Sequence, residues 1–487
     1  MTHMKNLKTA EPNRFYKLKL LLIVVITCCS LASAQSWRPV ALPFPGKAGT
    51  ALLRTDGFVM VEDKSSGVWW FLAPDNTGDY SNGIWALAGL PIANYDPEDF
   101  ASAILPDSRM IVEGGEYNFG VRADTNRGEI FDEKTGLWTE VSPPTGWDKI
   151  GGAQSVVLSD GTFMLAECCH HTEEALLDPT TLTWTSTGTG KADSNSEEGW
   201  TLLPNGKVLT VDTQNAPHTE LYDPGTGKWS LTGDLPFDIT NNCGRNIVPE
   251  VGPAVLRPNG TVFATGGNEK TAIYTPSTGT WKAGPSFPSG YVVADGPAAL
   301  LPNGNVLVQA SPCFSPPSLF FKFDGTTLTS APAPPRAPFD KSGQGRMVLL
   351  PNGHVLFTDG SSDVEIYIPG GSPKDAWLPT ITSYPATVTR GKAYKVKGTQ
   401  LNGLSQGAAY GDDAQSATNF PLVRFTNNAT GHKSYARTKN FSTMGVATGN
   451  TIESATFIPS TAMETGASTM VVVANGLASA SVSVTVQ

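Results

Sequence analysis

The chain has 487 residues, about three times the length of a typical domain, so several structural units are expected. Only 16% of the residues are charged, whereas Gly and Pro number 50 and 37, which is typical of a turn-rich, all-β globular protein. The net charge of −10 disfavours nucleic acid and anionic membranes as partners, because both require a basic patch.

The N-terminal segment has the pattern of an export signal. Two lysines precede an apolar run at residues 20–31, and the small residues 32–34 follow it. About a dozen apolar residues are too few to span a bilayer. We therefore predict a cleavable signal peptide at 1–34, no membrane span elsewhere, and a mature chain that is secreted or periplasmic.

Removal of that segment leaves four cysteines in an oxidising compartment: Cys168, Cys169, Cys243 and Cys313. We expect disulfides among them, and the sequence leaves all three pairings open. The run from Glu167 to His171 also offers metal ligands, although neighbouring residues on a strand point to opposite faces. A metal ion there is the alternative interpretation.

A unit of roughly 50 residues recurs along the chain, with a hairpin turn near its start and a tryptophan near its end. Asp-Gly and Asn-Gly between apolar runs are strong hairpin signals. The seven turns are Asp56-Gly57, Asp107-Ser108, Asp160-Gly161, Asn205-Gly206, Asn259-Gly260, Asn303-Gly304 and Asn352-Gly353. The last strand of a unit begins near Trp85, Trp138, Trp184, Trp229, Trp281 or, in the sixth unit, Leu328. Each unit is therefore expected to be a four-stranded meander.

Seven such meanders bury both faces only when they stack radially, so the repeats predict a seven-bladed kelch-type β-propeller at 35–371. The seventh unit lacks its last strand, and the sequence around Trp37 parallels that around Trp229. We expect residues 35–45 to close blade seven. After a linker at 372–378, alternating Val, Thr and Ser residues predict an immunoglobulin-like sandwich of the early-set type at 379–487.

With the segment from Tyr410 to Arg424, this architecture resembles the galactose oxidase and glyoxal oxidase group. The resemblance implies a secreted propeller whose copper ion is held by two tyrosines and two histidines, with a cysteine cross-linked to one tyrosine. The matching positions of this chain are Gly152, Gly343, Gln344 and Lys439, and His432 is expected at the surface. Copper-radical chemistry is not expected, because imidazole and phenolate ligands are missing.

The resemblance also places the residues that precede each hairpin by about seven positions at the central mouth of the propeller. The candidate binding residues there are Asp99, Glu197, Glu198, Glu250, Asp295, Gln344 and Arg346. Converging carboxylates raise one another's pKa or recruit a counter-ion, so Asp99, Glu197, Glu250 and Asp295 could hold calcium. Alternatively, these acids accept backbone N–H bonds and join adjacent blades.

Three functions are compatible with this pattern. The first is the binding of carbohydrate or a cell-surface or matrix partner at the acidic mouth, with no cofactor expected unless the mouth holds calcium. The second is a glycosidase or lyase that uses paired acids such as Glu197 and Asp295. The third is a structural cell-surface protein. The missing redox ligands favour the first, although a fold by itself does not establish a function.

Overall fold

The computed structural model of the protein describes residues 35–240 and 249–487. The expected signal peptide and Cys243 lie outside the described residues. Within those ranges the only helical segments are two short 3-10 turns, Ser342–Gln344 and Asp375–Trp377. The remaining regular structure is β, which confirms the predicted all-β class. No helix in the described part of the chain is long and apolar enough to cross a membrane.

Seven antiparallel sheets, each with four strands in a row, lie within residues 36–368, together with a small three-stranded sheet of Pro97–Glu98, Tyr117–Asn118 and Val121–Arg122. We number the seven sheets 1 to 7 by the chain order of their inner strands, and the inner strand is given first for each sheet. Sheet 1 contains Ala48–Leu53, Val59–Asp63, Val68–Ala73 and Ile84–Leu87. Sheet 2 contains Ala101–Ile104, Met110–Glu113, Gly128–Asp132 and Leu137–Val141. Sheet 3 contains Ser155–Val157, Phe163–Ala166, Glu174–Asp178 and Thr183–Thr187.

The remaining four sheets repeat the same meander. Sheet 4 contains Thr201–Leu202, Val208–Val211, Thr219–Asp223 and Lys228–Leu231. Sheet 5 contains Val251–Leu256, Val262–Gly266, Ala272–Thr275 and Thr280–Ala283. Sheet 6 contains Ala298–Leu300, Val306–Pro312, Leu319–Phe323 and Leu328–Ala331, and Tyr291–Val292 pairs with its second strand. Sheet 7 contains Arg346–Leu349, Val355–Thr358, Glu365–Ile368 and the N-terminal strand Ser36–Pro39.

The first hairpin of every sheet turns at a residue with a left-handed backbone. These residues have φ between 79° and 93°, and they are Gly57, Ser108, Gly161, Gly206, Gly260, Gly304 and Gly353. Glycine adopts this conformation without a Cβ clash, so six of the seven turns are unstrained and Ser108 is the exception.

Aromatic residues of the outer strands pack on the third strand of the same sheet. Trp138 lies opposite Phe131, Trp229 opposite Tyr222, and Trp281 opposite Tyr274. In sheet 7 the N-terminal strand supplies this residue, since Trp37 lies opposite Tyr367 with its ring 5.1 Å from that of Phe320. Contacts between inner strands join sheets 1 and 2, 2 and 3, 4 and 5, 5 and 6, 6 and 7, and 7 and 1. A bridge between Thr189 and Lys228 joins sheet 3 to sheet 4, so the seven sheets form a ring.

The C-terminal part of the chain forms one continuous nine-stranded sheet, folded so that two layers enclose a core. One layer contains Thr380–Ser383, Tyr394–Thr399 and Ile452–Ile458. The other contains Thr387–Val388, Leu422–Asn427, Gly466–Ala474, Leu477–Ala478 and Val482–Val486. The strand Lys433–Lys439 pairs with both layers, and Val396, Phe425 and Phe457 lie in the core between them. We call residues 379–487 the C-terminal unit.

Replacing Trp37 by Ala should lower the free energy of unfolding by about 2 to 3 kcal/mol, because its ring covers Phe320, Phe357 and Tyr367. Leu42→Ala is the matched control, since Leu42 is half exposed in the same N-terminal segment. Denaturant titrations of the two variants would measure the difference. Equal midpoints would show that the N-terminal strand does not stabilise sheet 7.

Candidate functional site

A loop of the C-terminal unit enters the centre of the ring and is fixed there by three inner strands. Ala408–Ala409 pairs with Ala298–Leu300 of sheet 6. The Gln406 side chain accepts a hydrogen bond from the Leu202 backbone of sheet 4, at 2.8 Å. The Ser102 hydroxyl of sheet 2 donates to the Gln415 carbonyl, at 2.9 Å. These anchors place the residues from Tyr410 to Asp413 at one end of the ring axis.

At that end of the axis lies a polar cavity of about 570 Å³, which we call the mouth. Its acidic lining residues are Glu98, Asp99, Glu116, Asp124, Glu197, Asp295, Asp412 and Asp413, and its basic ones are Lys47, Lys64, Arg122 and Lys341. Of the residues expected from the sequence, Asp99, Glu197, Asp295 and Gln344 line this cavity. Four of the repeats therefore bring a polar side chain to one place.

The backbone turns left-handed where the chain approaches the axis before three of the inner strands. The φ angle is 54° at Asp99, 56° at Glu197 and 45° at Ala294, which directly precedes Asp295. Left-handed conformations of non-glycine residues cost about 1 to 3 kcal/mol and concentrate at functional sites. The same left-handed turn at three places around the mouth indicates that the position of these acids matters for function.

Three carboxylates from neighbouring sheets meet at the axis. Glu197, Glu250 and Asp295 each offer an oxygen atom, and these atoms all lie within 4.8 Å of one another. Glu197 precedes the inner strand of sheet 4, Glu250 that of sheet 5, and Asp295 that of sheet 6. We call these three residues the axial carboxylates. Their spacing allows a single cation to contact all three.

Burial and mutual repulsion disfavour the charged forms of the acids in the mouth. Burial, followed by the charge of Asp295, raises the pKa of Glu197 to about 8. Burial and the charge of Asp99 raise the pKa of Asp295 to about 7. The pKa values of Asp412 and Asp413 are raised well above the usual range, mainly by burial. A bound cation or shared protons would therefore stabilise the cluster.

Arg346 supplies a buried positive charge beneath these acids. Its Nη2 atom lies 3.0 Å from Asp99 Oδ1, and its Nη1 atom donates to the carbonyls of Gly343 and Gly345, each at 3.0 Å. The guanidinium carbon lies 3.6 Å from the centre of the Tyr410 ring. One guanidinium group thus holds the loop of the C-terminal unit and the entry to sheet 7 together.

Glu198 lies outside the mouth, although its neighbour Glu197 lines it. Its carboxylate is 2.8 Å from the Lys191 ammonium, and both side chains are fully buried. Adjacent residues of an extended chain point to opposite sides, so Glu197 and Glu198 diverge.

Several other acids act as acceptors between loops and sheets. Glu129 accepts a hydrogen bond from the Ile92 backbone, and Glu174 accepts one from the Trp229 indole.

Cys168 and Cys169 are joined to each other by a disulfide bond at the rim of the mouth. Cys169 lines the cavity with a left-handed φ of 77°, whereas Cys168 is buried. Cys313 is also disulfide-bonded, and Cys243 lies outside the described residues. Because disulfide sulfurs are not thiolates, Cys168 and Cys169 are not metal ligands in this state.

Of the four positions that the resemblance assigned to copper ligands, Gly152, Gly343 and Gln344 line the mouth. Lys439 does not line it: it lies on the strand Lys433–Lys439, in a groove beside sheet 1. That assignment is therefore corrected, since the C-terminal unit reaches the mouth through the loop at 410–413. His432 is bound to Glu464 at 2.7 Å and lies away from the mouth.

Among the residues that the sequence did not place at the mouth are Glu116, Tyr410, Asp412 and Asp413. None of them belongs to the repeated position before a hairpin. The consecutive acids Asp412 and Asp413 stand within the segment that carries the family resemblance, and this was the available signal.

No protein-family model and no curated protein sequence matches the chain. Among solved structures, a fungal alcohol oxidase of the AA5 family, in complex with copper, is similar with a TM-score of 0.53 and 15% identity, over 93% of this chain and 100% of that chain. The extracellular domain of a protein described as a hybrid two-component system of B. thetaiotaomicron aligns with a TM-score of 0.49 and 9% identity, over 94% of this chain and 60% of its own. At these identities the likeness is one of fold. The chain has a β-propeller related in fold to that of the alcohol oxidase.

Arg346→Met should lower the free energy of unfolding by about 3 to 5 kcal/mol, because it leaves Asp99 without its buried counter-charge. Arg122→Met is the control, since Arg122 pairs with Glu116 at the exposed rim and exposed pairs contribute at most about 1 kcal/mol. Denaturant unfolding in the presence of a chelator measures both. Equal losses would show that Arg346 does not hold the mouth together.

Proposed function

We propose that the chain is an exported protein, with a seven-bladed kelch-type propeller and an immunoglobulin-like C-terminal domain, that binds carbohydrate at its mouth with the help of a calcium ion. The observation that carries the proposal is the convergence of the axial carboxylates, whose oxygen atoms lie within 4.8 Å of one another. The seven meander sheets, the two-layered C-terminal unit and the export signal pattern support the rest.

Calcium suits the axial carboxylates because it prefers several oxygen ligands in a flexible geometry. Arg346 pairs with Asp99, so its charge is directed at a different acid. Glu197 and Asp295 have raised pKa values because of burial and neighbouring carboxylates. A divalent cation would compensate both for the lost hydration and for the repulsion between the carboxylates. An ion between the three residues would therefore stabilise the native mouth.

The cavity fits a small polyhydroxylated ligand. Its volume of about 570 Å³ is typical of sites for small molecules. Carboxylates and lysines around the rim accept and donate hydrogen bonds, and Tyr117 and Phe314 offer ring faces to apolar parts of a ligand. A calcium ion that keeps an open coordination position would accept a sugar hydroxyl oxygen.

The donor set of the mouth does not fit the copper centre that the resemblance implies. No histidine lines the cavity among the described residues. The Tyr410 hydroxyl donates to the Gly343 carbonyl at 2.9 Å, and burial raises its pKa well above the usual range, so it is a poor source of phenolate. Cys169 is held in a disulfide bond. We therefore propose no copper-radical step.

Glycoside cleavage by Glu197 and Asp295 is the second candidate, since their pKa values of about 8 and 7 suit proton transfer near neutrality. The carboxyl groups of such enzymes stand about 5 to 5.5 Å or 6.5 to 9.5 Å apart. A third carboxylate, that of Glu250, brings an oxygen atom within 4.8 Å of both, and three converging acids favour binding of a cation over hydrolysis by an acid pair.

The double variant Glu197→Gln, Asp295→Asn should bind one calcium ion fewer per chain than the unmodified mature protein, measured by equilibrium dialysis. It should also unfold at higher denaturant in chelator, because repulsion at the axis is removed. Carbohydrate binding on a glycan array should require calcium and should be lost in the double variant.

Glu98→Gln is the matched control, since Glu98 lines the same cavity but pairs with Lys64 at 3.4 Å outside the axial cluster. An unchanged calcium count in the double variant, with destabilisation of about 1 to 3 kcal/mol, would show that the axial carboxylates are structural acceptors. Release of reducing sugar from a bound glycan would favour the glycosidase instead.

The copper-loaded mature protein should produce no hydrogen peroxide from galactose, glyoxal or glycerol. The reason is that Gly152, Gly343 and Gln344 stand at the mouth where the resemblance places copper ligands. A coupled peroxidase assay provides the measurement. Sustained turnover would contradict the proposed absence of oxidase chemistry.

A further inference from the structure

A second acidic cluster lies in and beside sheet 4, apart from the mouth. Asp193, Glu198 and Asp212 each bring a carboxylate oxygen within 4.8 Å of the other two. All three residues are buried, with 2% of Asp193 and none of Glu198 and Asp212 exposed. None of the three lines the mouth cavity. The cluster is thus a separate, enclosed group of negative charges.

The Asp212 carboxylate is the unsatisfied member of this group. Both of its oxygen atoms are buried and have no hydrogen-bond partner among the described residues. Glu198 Oε1 is in the same position, whereas Glu198 Oε2 accepts a bond from the Thr210 hydroxyl at 3.0 Å. A buried carboxylate without donors is costly, so these oxygen atoms call for a positive partner.

Lys191 pairs with only one residue of the cluster, Glu198. Its ammonium group lies 2.8 Å from Glu198 and 3.0 Å from Glu220, and it makes no ion pair with Asp193 or Asp212 within the described ranges. When all are ionised, one ammonium group is therefore left to balance four carboxylates, those of Asp193, Glu198, Asp212 and Glu220.

The Asp193 carboxylate is already oriented. Its oxygen atoms accept backbone bonds from Ser194 and Gln214, at 2.9 and 2.8 Å, and a side-chain bond from Asn215 at 3.2 Å. The position of this ligand is thus fixed before any ion binds.

We propose that Asp193, Glu198 and Asp212 form a second divalent-cation site, with calcium as the ion that this chemistry selects. The donor set consists of carboxylate oxygens, which hard cations prefer, and calcium accepts their irregular arrangement. The oxygen atoms of Asp212 and Glu198 that accept no hydrogen bond are available as ligands of the ion.

An ion at this site would connect the loop before the inner strand of sheet 4 to the end of its second strand. Glu198 lies on that loop directly after Glu197, and Asp212 directly follows the strand Val208–Val211. The ion would therefore hold the segment that presents Glu197 to the mouth. Its binding does not depend on a ligand in the mouth.

Terbium, a luminescent probe for calcium sites, tests this proposal in the mature protein. The Trp229 ring lies 4.9 Å from the Lys191 ammonium, which itself contacts Glu198, so a tryptophan stands close enough to sensitise a bound terbium ion. Titration of the chelator-treated protein should give saturable luminescence that calcium suppresses. Asp212→Asn should weaken binding at least tenfold, and Trp229→Phe should reduce the luminescence while calcium binding by calorimetry persists.

Two control variants make the result specific. Asp223→Asn, which alters an acid of the same sheet that pairs with Lys207, should bind terbium as the unmodified protein does. Glu197→Gln should also retain the tryptophan-sensitised signal, which separates this site from the mouth. Absence of saturable luminescence, or unchanged affinity in Asp212→Asn, would overturn the proposal. If Asp212→Asn were more stable than the unmodified protein, and metal changed the stability of neither, the proposal would be overturned in favour of a proton shared between the carboxylates.

Discussion

Repulsion among the carboxylates that the fold gathers at one axis is the constraint on which the rest of this structure depends. The ring of sheets brings Glu197, Glu250 and Asp295 to within 4.8 Å of one another, and the loop of the C-terminal unit adds Asp412 and Asp413. Burial raises the pKa values of Glu197, Asp295, Asp412 and Asp413, so the native fold bears an electrostatic cost at its centre. Proteins retain such arrangements where a ligand or a reaction uses them.

Docking of the C-terminal unit is tied to the charges at the axis. Its loop is fixed by the inner strands of sheets 2, 4 and 6, and its Tyr410 ring lies against the Arg346 guanidinium. Arg346 in turn contacts Asp99 from sheet 2 and the carbonyls at the entry to sheet 7. The charge balance of the mouth and the docking of the C-terminal unit are therefore coupled. A substitution that alters one of them should also alter the other.

The sequence was most informative where the chain repeats. The all-β class and the propeller-like fold could be predicted, because Asp-Gly and Asn-Gly turns and outer-strand tryptophans recur in most units. The same period placed Asp99, Glu197 and Asp295 before inner strands, and these residues line the mouth. Their binding role stays a prediction.

The repeat carried no information on residues outside it. Glu116 and Asp412 reach the mouth from non-repeated loops, and Glu198 leaves it because adjacent side chains diverge. The disulfide between Cys168 and Cys169 could not be predicted from the sequence, since four cysteines allow three pairings.

Anomalous scattering from crystals of the mature protein grown with calcium tests the central claim most directly. We predict a peak between Glu197, Glu250 and Asp295, with carboxylate oxygens about 2.3 to 2.6 Å from it. Clear density for the three side chains with no peak between them, at calcium concentrations that saturate binding in solution, would contradict the account.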